Sequence, residues 1–278
     1  MKKQKAKNNN AASTGGGSCY SLQLGNAQHQ GAREYQEDYF GFSDISPASI
    51  ETRGLLAVLC DGMGGLKGGR ETAIETVTHV LNIFKSTDFR HGFYSNMSKA
   101  IVSANDMVYS KHNSSRITTG CTFVSAYVYE NKLYWACVGD SRIYLVRNGQ
   151  MYALNEDHDY LNRLLARHIQ GDCSLKAAMS DSQKDNLVSF IGCQKLKVDI
   201  SRSAFTLKDN DSLLLCSDGV YNSLSECEML RCVSANEAHA ACDKIVESVV
   251  RKGKSSQDNL SVMLVKFREH KDGADAAL

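Results

Sequence analysis

The chain has 278 residues, of which 42% are hydrophobic and 23% charged, a composition that excludes disorder over most of its length. Its net charge of +1 argues against a dedicated nucleic-acid-binding protein, because such proteins are usually strongly basic. No uninterrupted apolar run approaches the about 20 residues that a membrane-spanning helix needs, so no membrane span is expected.

Both ends of the chain are expected to be tails around a single domain. Residues 1–18 carry four lysines and no acidic residue, in a run of Asn, Ala, Ser and Gly that offers little to offset the entropy of ordering. Residues 269–278 are predicted to be a second short tail. No internal repeat or second low-complexity linker divides the rest, so 19–268 is predicted to be one domain.

Short runs rich in Val, Leu, Ile and Tyr and bounded by Gly, Asp or Asn predict strands at 55–60, 122–129, 132–138, 142–146, 212–216 and 260–267. Apolar residues at helical spacing predict helices that cover 73–84, 97–108 and 238–249. The strands between 122 and 147 follow one another, with turns at Glu130-Asn131 and Gly139-Asp140, which is typical of antiparallel pairing. The pattern therefore predicts an α+β fold in which helices cover antiparallel sheets. The polar segment 159–190 is predicted to be a surface insertion over the sheet.

The ten cysteines predict reduced, buried thiols rather than a metal-binding or redox motif. No two of them have the C-x-x-C spacing of zinc ribbons and thioredoxin-like proteins. Several, such as Cys60 and Cys216, lie in apolar runs, where a free cysteine behaves as a small hydrophobic residue. No apolar stretch follows the N-terminal lysines as it would in a secretory signal peptide, so a cytoplasmic location is expected.

Acidic residues recur where the predicted strands begin or end. They are found in the pairs Asp61-Gly62, Gly139-Asp140, Asp218-Gly219 and Asp258-Asn259, and in Glu37-Asp38. Any single Asp-Gly pair is most often only a turn. Several together predict converging carboxylates, whose mutual repulsion requires protons or cations between them. Oxygen ligands without a paired His or Cys favour Mg²⁺ or Mn²⁺ over Zn²⁺, so the pattern predicts a binuclear carboxylate metal site.

The glycine-rich stretch from Asp61 to Gly69 does not match a nucleotide-binding loop. Lys67 stands where the motif G-x-G-x-x-G needs its last glycine, and no Gly-Lys-Ser/Thr follows. The glycines are expected instead to allow a tight turn and to lend a backbone carbonyl to a metal ion. The chain also lacks the C-x5-R loop of thiol phosphatases and the G-x-S-x-G elbow of serine hydrolases. Arg33 and Arg142 are candidates to bind a phosphate, and the alternative for each is a surface or structural ion pair.

An ordered set of blocks resembles the metal-dependent protein phosphatase family, PP2C or PPM, in its compact bacterial form. The blocks are Arg33-Glu-Tyr-Gln-Glu-Asp38, Val58-Leu-Cys-Asp-Gly-Met-Gly-Gly65, Thr119-Gly-Cys-Thr122, Val138-Gly-Asp-Ser-Arg142, Glu156-Asp-His158, Leu214-Leu-Cys-Ser-Asp-Gly219 and Gln257-Asp-Asn-Leu-Ser261. Any block alone is weak, but the ordered set is specific. The resemblance implies an αββα sandwich of two antiparallel sheets flanked by helices, with a metal centre at one sheet edge.

The resemblance also implies a set of metal ligands. Asp61 would bridge two Mg²⁺ or Mn²⁺ ions, with the carbonyl of Gly62 beside it. Asp218 and Asp258 would hold the first ion, and Glu37 would reach the second, partly through water.

Further residues take supporting roles by the same resemblance. Asp38 would lie near the second ion, and Asp140 would bind a third, weaker ion together with Asp218. Arg33 would bind the phosphate, and Asn259 would support Asp258. Residues 159–190 would be the flap that shapes substrate access.

The implied activity is hydrolysis of phosphoserine and phosphothreonine in proteins, by direct attack of a water that bridges the metal ions. The implied partners are phosphorylated proteins, the substrates of an opposing Ser/Thr kinase, in cytoplasmic signalling by a monomer. One alternative is a non-catalytic member of the same fold that binds phosphoproteins. Another is a phosphatase of small phosphomonoesters or a nuclease, and the near-neutral charge argues against the nuclease.

The chain departs from the family pattern near the predicted site. Gln36 stands where Asn is common, Met63 where eukaryotic members carry a histidine, and Leu66 where some bacterial members do. Without those histidines no general acid is assigned. His158 is a distant candidate, and its alternative role is structural hydrogen bonding.

Overall fold

The computed structural model describes residues 10–12, 20–64, 68–115 and 119–269. The strands in these ranges are β1 (Asn10–Ala12), β2 (Tyr20–His29), β3 (Tyr39–Phe42), β4 (Leu55–Cys60), β5 (Gly62–Met63), β6 (Gly120–Cys121), β7 (Phe123–Tyr129), β8 (Lys132–Val138), β9 (Arg142–Arg147), β10 (Gln150–Ala153), β11 (Asp199–Ile200), β12 (Phe205–Thr206), β13 (Ser212–Cys216) and β14 (Leu260–Glu269). The helices are α1 (Pro47–Arg53), α2 (Gly68–Ser86), α3 (Phe93–Ser115), α4 (Tyr160–Ile169), α5 (Leu175–Ser180), α6 (Asp218–Tyr221), α7 (Glu226–Ala235) and α8 (Ala238–Arg251).

The strands form two main antiparallel sheets. The first sheet has the order β1-β2-β14-β13-β9-β10. The second has the order β11-β8-β7-β4-β3, and β12 also pairs with β8. β5 and β6 form a small pair of their own. The predicted antiparallel pairing is confirmed for β7 and β8. It is wrong for β8 and β9, which belong to different sheets, so the turn at Gly139-Asp140 connects the two sheets instead of closing a hairpin.

The two sheets share an apolar core, and alternation along each strand decides which face a side chain joins. In β4, Leu55 and Leu59 belong to the core between the sheets, whereas Leu56 and Val58 point to the opposite face. That opposite face is also buried. Because successive side chains of a strand alternate between faces, a strand covered on both sides appears in the sequence as a continuous apolar run.

Helices cover the outer face of each sheet. Val77 of α2 and Met97 of α3 pack with Val58 on the second sheet. Ile245 of α8 and Met229 of α7 pack on the first sheet in the same way. These layers confirm the predicted α+β class and the αββα order. None of the described helices is long and apolar enough to cross a membrane.

Several elements differ from the sequence prediction. Elements such as β2, β3, β10, α1 and α7 have no predicted counterpart. The expectation of a structureless tail over 1–18 does not hold at Asn10–Ala12, which pairs with β2, and the rest of that range lies outside the described residues. Of the predicted C-terminal tail, Glu269 ends β14, and 270–278 are likewise outside.

The segment 159–190 contains the helices α4 and α5. Asp159 accepts a hydrogen bond from the backbone N–H of Asn162 at 2.7 Å and caps α4. A bridge between Asp159 and Leu187 ties the two ends of the segment together. A second bridge, between Cys121 and Ile191, fastens the chain just beyond it to β6.

Candidate metal and phosphate site

The strand register brings the predicted acidic residues to one edge of the sandwich. β4 ends at Cys60, directly before Asp61, and Cys60 lies opposite Tyr39, the first residue of β3. In the first sheet, Cys216 lies opposite both Arg142 and Val262, so the end of β13 meets the starts of β9 and β14. The acids therefore follow or precede strands at the same end of both sheets, as their spacing predicted.

Asp61 is the centre of this group. Its backbone N–H donates to Oγ1 of Thr122 at 2.9 Å, and its carbonyl accepts the N–H of Thr122 at 2.8 Å. Burial raises the pKa of the Asp61 carboxyl well above its usual range. The charges of Asp38, Asp218, Asp140 and Asp258, in decreasing order, raise it further. The ionisation of Asp61 therefore depends on the charges of the neighbouring carboxylates.

Burial also raises the pKa values of the neighbouring carboxyls. Burial, followed by the charge of Asp218, raises the pKa of Asp140 to about 7. Burial is likewise the main cause that raises the pKa of Asp38 to about 7, although Ser217 Oγ donates to its Oδ2 at 2.8 Å. Burial raises the pKa of Glu37 and of Asp218 as well, and the charge of Asp258 adds to both.

Within the part of the chain that the structure describes, two buried oxygens of this group have no hydrogen-bond donor. They are Oε1 of Glu37 and Oδ1 of Asp38. An unpartnered buried carboxylate oxygen is costly unless a cation or a proton satisfies it. The donor set consists of oxygen atoms, which is what Mg²⁺ and Mn²⁺ prefer. The residues present therefore fit hard divalent cations.

The acidic side chains do not form a complete ligand shell by themselves. Among the residues that the structure describes, no group of three His, Cys, Asp or Glu side chains is arranged so that it could hold a metal ion. Backbone carbonyls and water are normal ligands of Mg²⁺, which usually keeps several waters. The Gly62 carbonyl, which follows Asp61 directly, is one such candidate.

Gly62 and Gly69 allow backbone segments to pack closely next to the acidic residues. A Cβ on Gly62 would lie 2.4 Å from the carbonyl oxygen of Gly69. A Cβ on Gly69 would lie 2.7 Å from Oε1 of Glu37. Side chains at either position would push the start of α2 away from β5 and from Glu37. Gly62 and Gly69 of the glycine-rich stretch are thus explained by packing around the carboxylates.

We expect Gly69→Ala to weaken Mn²⁺ binding about tenfold, because the new methyl group must displace Glu37. Calorimetric titration with Mn²⁺ measures the change. Asn82→Ala, on the exposed face of the same helix, is the matched control and should bind Mn²⁺ as the parent does. Equal affinity of Gly69→Ala and parent would show that Glu37 is not needed at this place.

Arg33 lies at the rim of the group. Its side chain is 58% exposed, and its Nη2 donates to Oδ2 of Asp258 at 2.5 Å. This hydrogen bond is the main cause that raises the pKa of the Arg33 guanidinium. The exposed part of the guanidinium remains free to meet a phosphate beside the carboxylates.

Asn259 connects Asp258 with the loop that carries Glu37. Its Oδ1 accepts the backbone N–H of Glu37 at 2.7 Å. Its Nδ2 donates to the carbonyls of Gln30 and Tyr35 at 2.7 and 2.9 Å. Asn259 therefore orders the segment between β2 and β3, in addition to its expected support of Asp258.

Arg142 is engaged in a structural pair. Its Nη2 donates to Oδ2 of Asp157 at 2.6 Å, and its Nε donates to the same carboxylate at 3.0 Å. Its guanidinium carbon lies 3.7 Å from the ring centre of Tyr221, whose hydroxyl donates to the carbonyl of Asp140 at 3.0 Å. Of the two alternatives stated for Arg142, these contacts favour the ion pair, which braces the turn of Asp140.

His158 connects the same turn to the segment 159–190. Its side chain is 1% exposed, and its Nδ1 accepts the backbone N–H of Gly139 at 3.3 Å. Its carbonyl accepts the N–H of Val188 at 2.8 Å. Burial, with a smaller effect of Lys197, lowers the pKa of His158 to about 4, so the ring is neutral at pH 7. These contacts favour the structural role over that of a general acid.

Three hydroxyl groups in the site were not assigned from the sequence. The side-chain oxygens of Thr122 and Ser141 share a hydrogen bond of 2.7 Å. Because Thr122 also accepts the backbone N–H of Asp61, this hydrogen bond connects the Asp61 backbone to the turn that carries Asp140. Ser217 donates to Asp38 and accepts the N–H of Ser261 at 3.0 Å. All three residues lie inside the blocks quoted above, but their partners become visible only when the two sheets are packed.

The family comparison matches this geometry. The model of the family described as protein phosphatase 2C matches residues 23–173, more than half of the chain. The chain belongs to the protein phosphatase 2C family. The matched range includes Arg33, Glu37, Asp38, Asp61 and Asp140.

Individual PP2C-type relatives agree over most of the chain. The serine/threonine phosphatase stp of Listeria innocua is 28% identical over 229 residues, which cover 80% of this chain and 88% of that protein. A solved serine/threonine phosphatase from S. agalactiae superimposes with a TM-score of 0.75 and 25% identity, over 88% of this chain and 98% of its own. A catalytic domain of PstP, solved in complex with 2 manganese ions, superimposes with a TM-score of 0.73 at 19% identity, over 90% and 99% of the two chains. This last likeness supports the fold alone.

Proposed function

We propose that this PP2C-family protein is a Mg²⁺- or Mn²⁺-dependent phosphatase that hydrolyses phosphoserine and phosphothreonine in proteins. The observation that carries the proposal is the buried carboxylate group around Asp61, with its unpartnered oxygens and with Arg33 at its rim. The names of the bacterial relatives, and the manganese ions bound by PstP, support the same activity and cofactor.

Two core ions and a third, weaker one are assigned to the acids of this edge. Asp218 and Asp258 would hold one core ion, and Glu37 with the Gly62 carbonyl the other, with Asp61 shared between them. Asp140 would contribute to the weaker ion. When bound, divalent cations acidify a water molecule and neutralise charge on the phosphate oxygens.

The remaining residues of the site would bind the phosphate and orient the acidic side chains. Arg33 can turn its fork from Asp258 to the phosphate oxygens, since most of its side chain is exposed. Ser217 holds Asp38, and Asn259 holds the backbone of Glu37, so both acids approach the centre in a fixed orientation. The neutral, enclosed ring of His158 is not suited to give a proton to the leaving oxygen.

The wider setting is part of the proposal. Phosphorylated proteins are the expected substrates, made by an opposing Ser/Thr kinase, and the protein is proposed to act as a cytoplasmic monomer in signalling. Residues 159–190, attached to the Asp140 turn through His158, are proposed to be the flap beside the substrate path. A non-catalytic phosphoprotein-binding role is less well supported, because every acid of the pattern is present.

The test is phosphate release from a phosphothreonine peptide with Mn²⁺ and with a chelator. We expect release that depends on the metal and that Asp218→Ala abolishes, while Asp106→Ala, an exposed acid on α3, serves as control. A sugar phosphate and DNA, offered at the same concentration, should be poorer substrates. Turnover that survives the chelator or Asp218→Ala would contradict the proposal, and peptide binding without release would indicate the non-catalytic role.

A further inference from the structure

A cavity of about 420 Å³ lies next to Glu34, which directly follows Arg33 in the chain. Its lining residues come from the segment between β2 and β3 and from the start of α2. They are Gln30, Glu34, Tyr35, Gln36, Arg70 and Glu71. None of these residues has a role in the proposed hydrolysis, and the cavity is large enough for one amino-acid side chain.

The walls of the cavity are held in place by hydrogen bonds. Gln30 Nε2 donates to the carbonyls of Arg33 and Glu34, at 2.6 and 2.8 Å. Arg70 Nη1 donates to the carbonyl of Gln36 at 3.0 Å, which fastens α2 to the same segment. The segment also rests on Asn259, as described above. A cavity that exists before a ligand arrives needs little ordering to bind one.

The chemistry of the lining favours a cation. Glu34 and Glu71 are exposed carboxylates, and in the described ranges neither is paired with a cation. They outnumber the single guanidinium of Arg70, part of which is used by the Gln36 carbonyl. Any ligand in the cavity meets two negative charges and one positive charge of the lining residues, an excess that repels an anion and attracts a cation.

The aromatic ring of Tyr35 also suits a cationic ligand. The side chain of Tyr35 is partly exposed and hydrogen-bonded to Glu34, and the face of an aromatic ring attracts a guanidinium or ammonium group. Arginine and lysine side chains combine a positive charge with several N–H donors.

We infer that this cavity binds the basic side chain of a residue that flanks the phosphorylated residue in the substrate protein. The inference rests on the proposed function. Arg33 would face the phosphate, and Glu34, the next residue along the chain, lines the cavity. A side chain two or three positions away from the phosphorylated residue lies about 7 to 10 Å from it along an extended chain, which spans about 3.3 Å per residue. The protein is thereby a phosphatase that prefers sites near arginine or lysine.

The test compares phosphothreonine peptides in an alanine background. A single Arg, or a single Glu, is placed in turn at each of the three positions on either side of the phosphothreonine, and kcat/KM is divided by that of the all-alanine peptide. We expect Arg to raise this ratio about threefold at one position or at two adjacent ones, which is the size of an exposed ion pair, and Glu to lower it there. Equal ratios for Arg, Ala and Glu at every position would overturn the inference.

Substitutions assign the preference to this cavity. Glu34→Gln and Glu71→Gln should each reduce the Arg preference, and Glu71→Lys should reverse it in favour of Glu. Glu51→Gln is the matched control, because Glu51 is exposed on α1, which leads into the end of β4 opposite Asp61. A preference that survives both glutamine variants, or that Glu51→Gln removes, would contradict the assignment.

The same peptides separate this inference from the proposed function. If the protein hydrolyses none of them with Mn²⁺, the proposed function fails, and the intact phosphopeptides are then compared by fluorescence anisotropy. Tighter binding of the Arg peptide, lost in Glu71→Lys, would still support the cavity. Equal affinities would overturn it.

Discussion

Asp61→Asn is expected to lower metal-dependent phosphate release by at least about a thousandfold, since it removes the charge at the centre of the carboxylate group. The amide has nearly the shape of the carboxyl, and the backbone hydrogen bonds of Asp61 to Thr122 remain. The loss should therefore reflect charge and not unfolding. Residual activity above a few per cent of the parent would contradict the central position of Asp61.

The same variant should make the metal-free protein more stable at pH 8. A carboxyl whose pKa is raised in the folded state binds more protons there than in the unfolded chain. The metal-free protein therefore loses stability as the pH rises from about 4, the usual pKa of an aspartate, through about 7, the pKa of Asp38 and Asp140. Removing one of the repelling charges reduces this loss.

The gain should be about 1 kcal/mol, which corresponds to a rise of roughly 2–4 °C in Tm for a chain of this size. Thermal denaturation at pH 5 and pH 8, with a chelator present, measures it. Asp106→Asn removes one exposed charge on α3 and should leave Tm unchanged. Added Mn²⁺ should stabilise the parent but not Asp61→Asn. A lower Tm of Asp61→Asn at pH 8 would show that the carboxyl makes a net favourable contact.

Arg33→Ala is expected to lower kcat/KM for a phosphopeptide about a hundredfold, through the loss of charge-assisted hydrogen bonds to the phosphate. Arg33→Lys keeps the charge without the planar fork and should retain part of the activity. The pair with Asp258 is exposed and contributes little to stability, so Tm should hardly change. The affinity for Mn²⁺ should not fall, because the substitution removes the guanidinium that competes with the metal ion for Asp258.

Arg90→Ala is the control for this experiment, because Arg90 pairs with Asp88 on the exposed surface after α2. Steady-state kinetics and calorimetric Mn²⁺ titration of the variants separate substrate binding from metal binding. A kcat/KM of Arg33→Ala within threefold of the parent would remove Arg33 from the proposed phosphate site, and a loss of Mn²⁺ affinity would give it a different role.

The sequence predicted those strands and helices whose pattern of apolar residues can be recognised within the element itself. β4 and β13 are buried on both faces, so each is a short apolar run, with an acid within two residues of its end. β2 was missed because polar residues and Gly25 interrupt its apolar residues. β2 forms because its ten residues pair with β14. A Cβ on Gly25 would lie 2.2 Å from the carbonyl oxygen of Ala238. The glycine that weakens the strand pattern in the sequence therefore allows α8 to pack against β2.

The acids of the site were predictable for a similar reason. Asp61, Asp140, Asp218 and Asp258 each stand beside a glycine or asparagine at a strand end, and antiparallel pairing collects such ends at one edge. The roles of Arg142 and His158 could not be decided in this way. They depend on Asp157, Tyr221 and Gly139, whose side chains or backbone reach them only after the strands have turned.

The most direct test of the metal centre is a crystal structure of the protein grown with Mn²⁺, with anomalous scattering measured at the manganese edge. We expect two strong peaks within about 2.2 Å of carboxylate oxygens, the ordinary distance for such a cation, with Asp61 touching both. Asp218 and Asp258 should contact one peak, and the Glu37 side of the edge the other. Peaks elsewhere in the molecule, or none beside Asp61, would contradict a metal-dependent site at this edge of the sandwich.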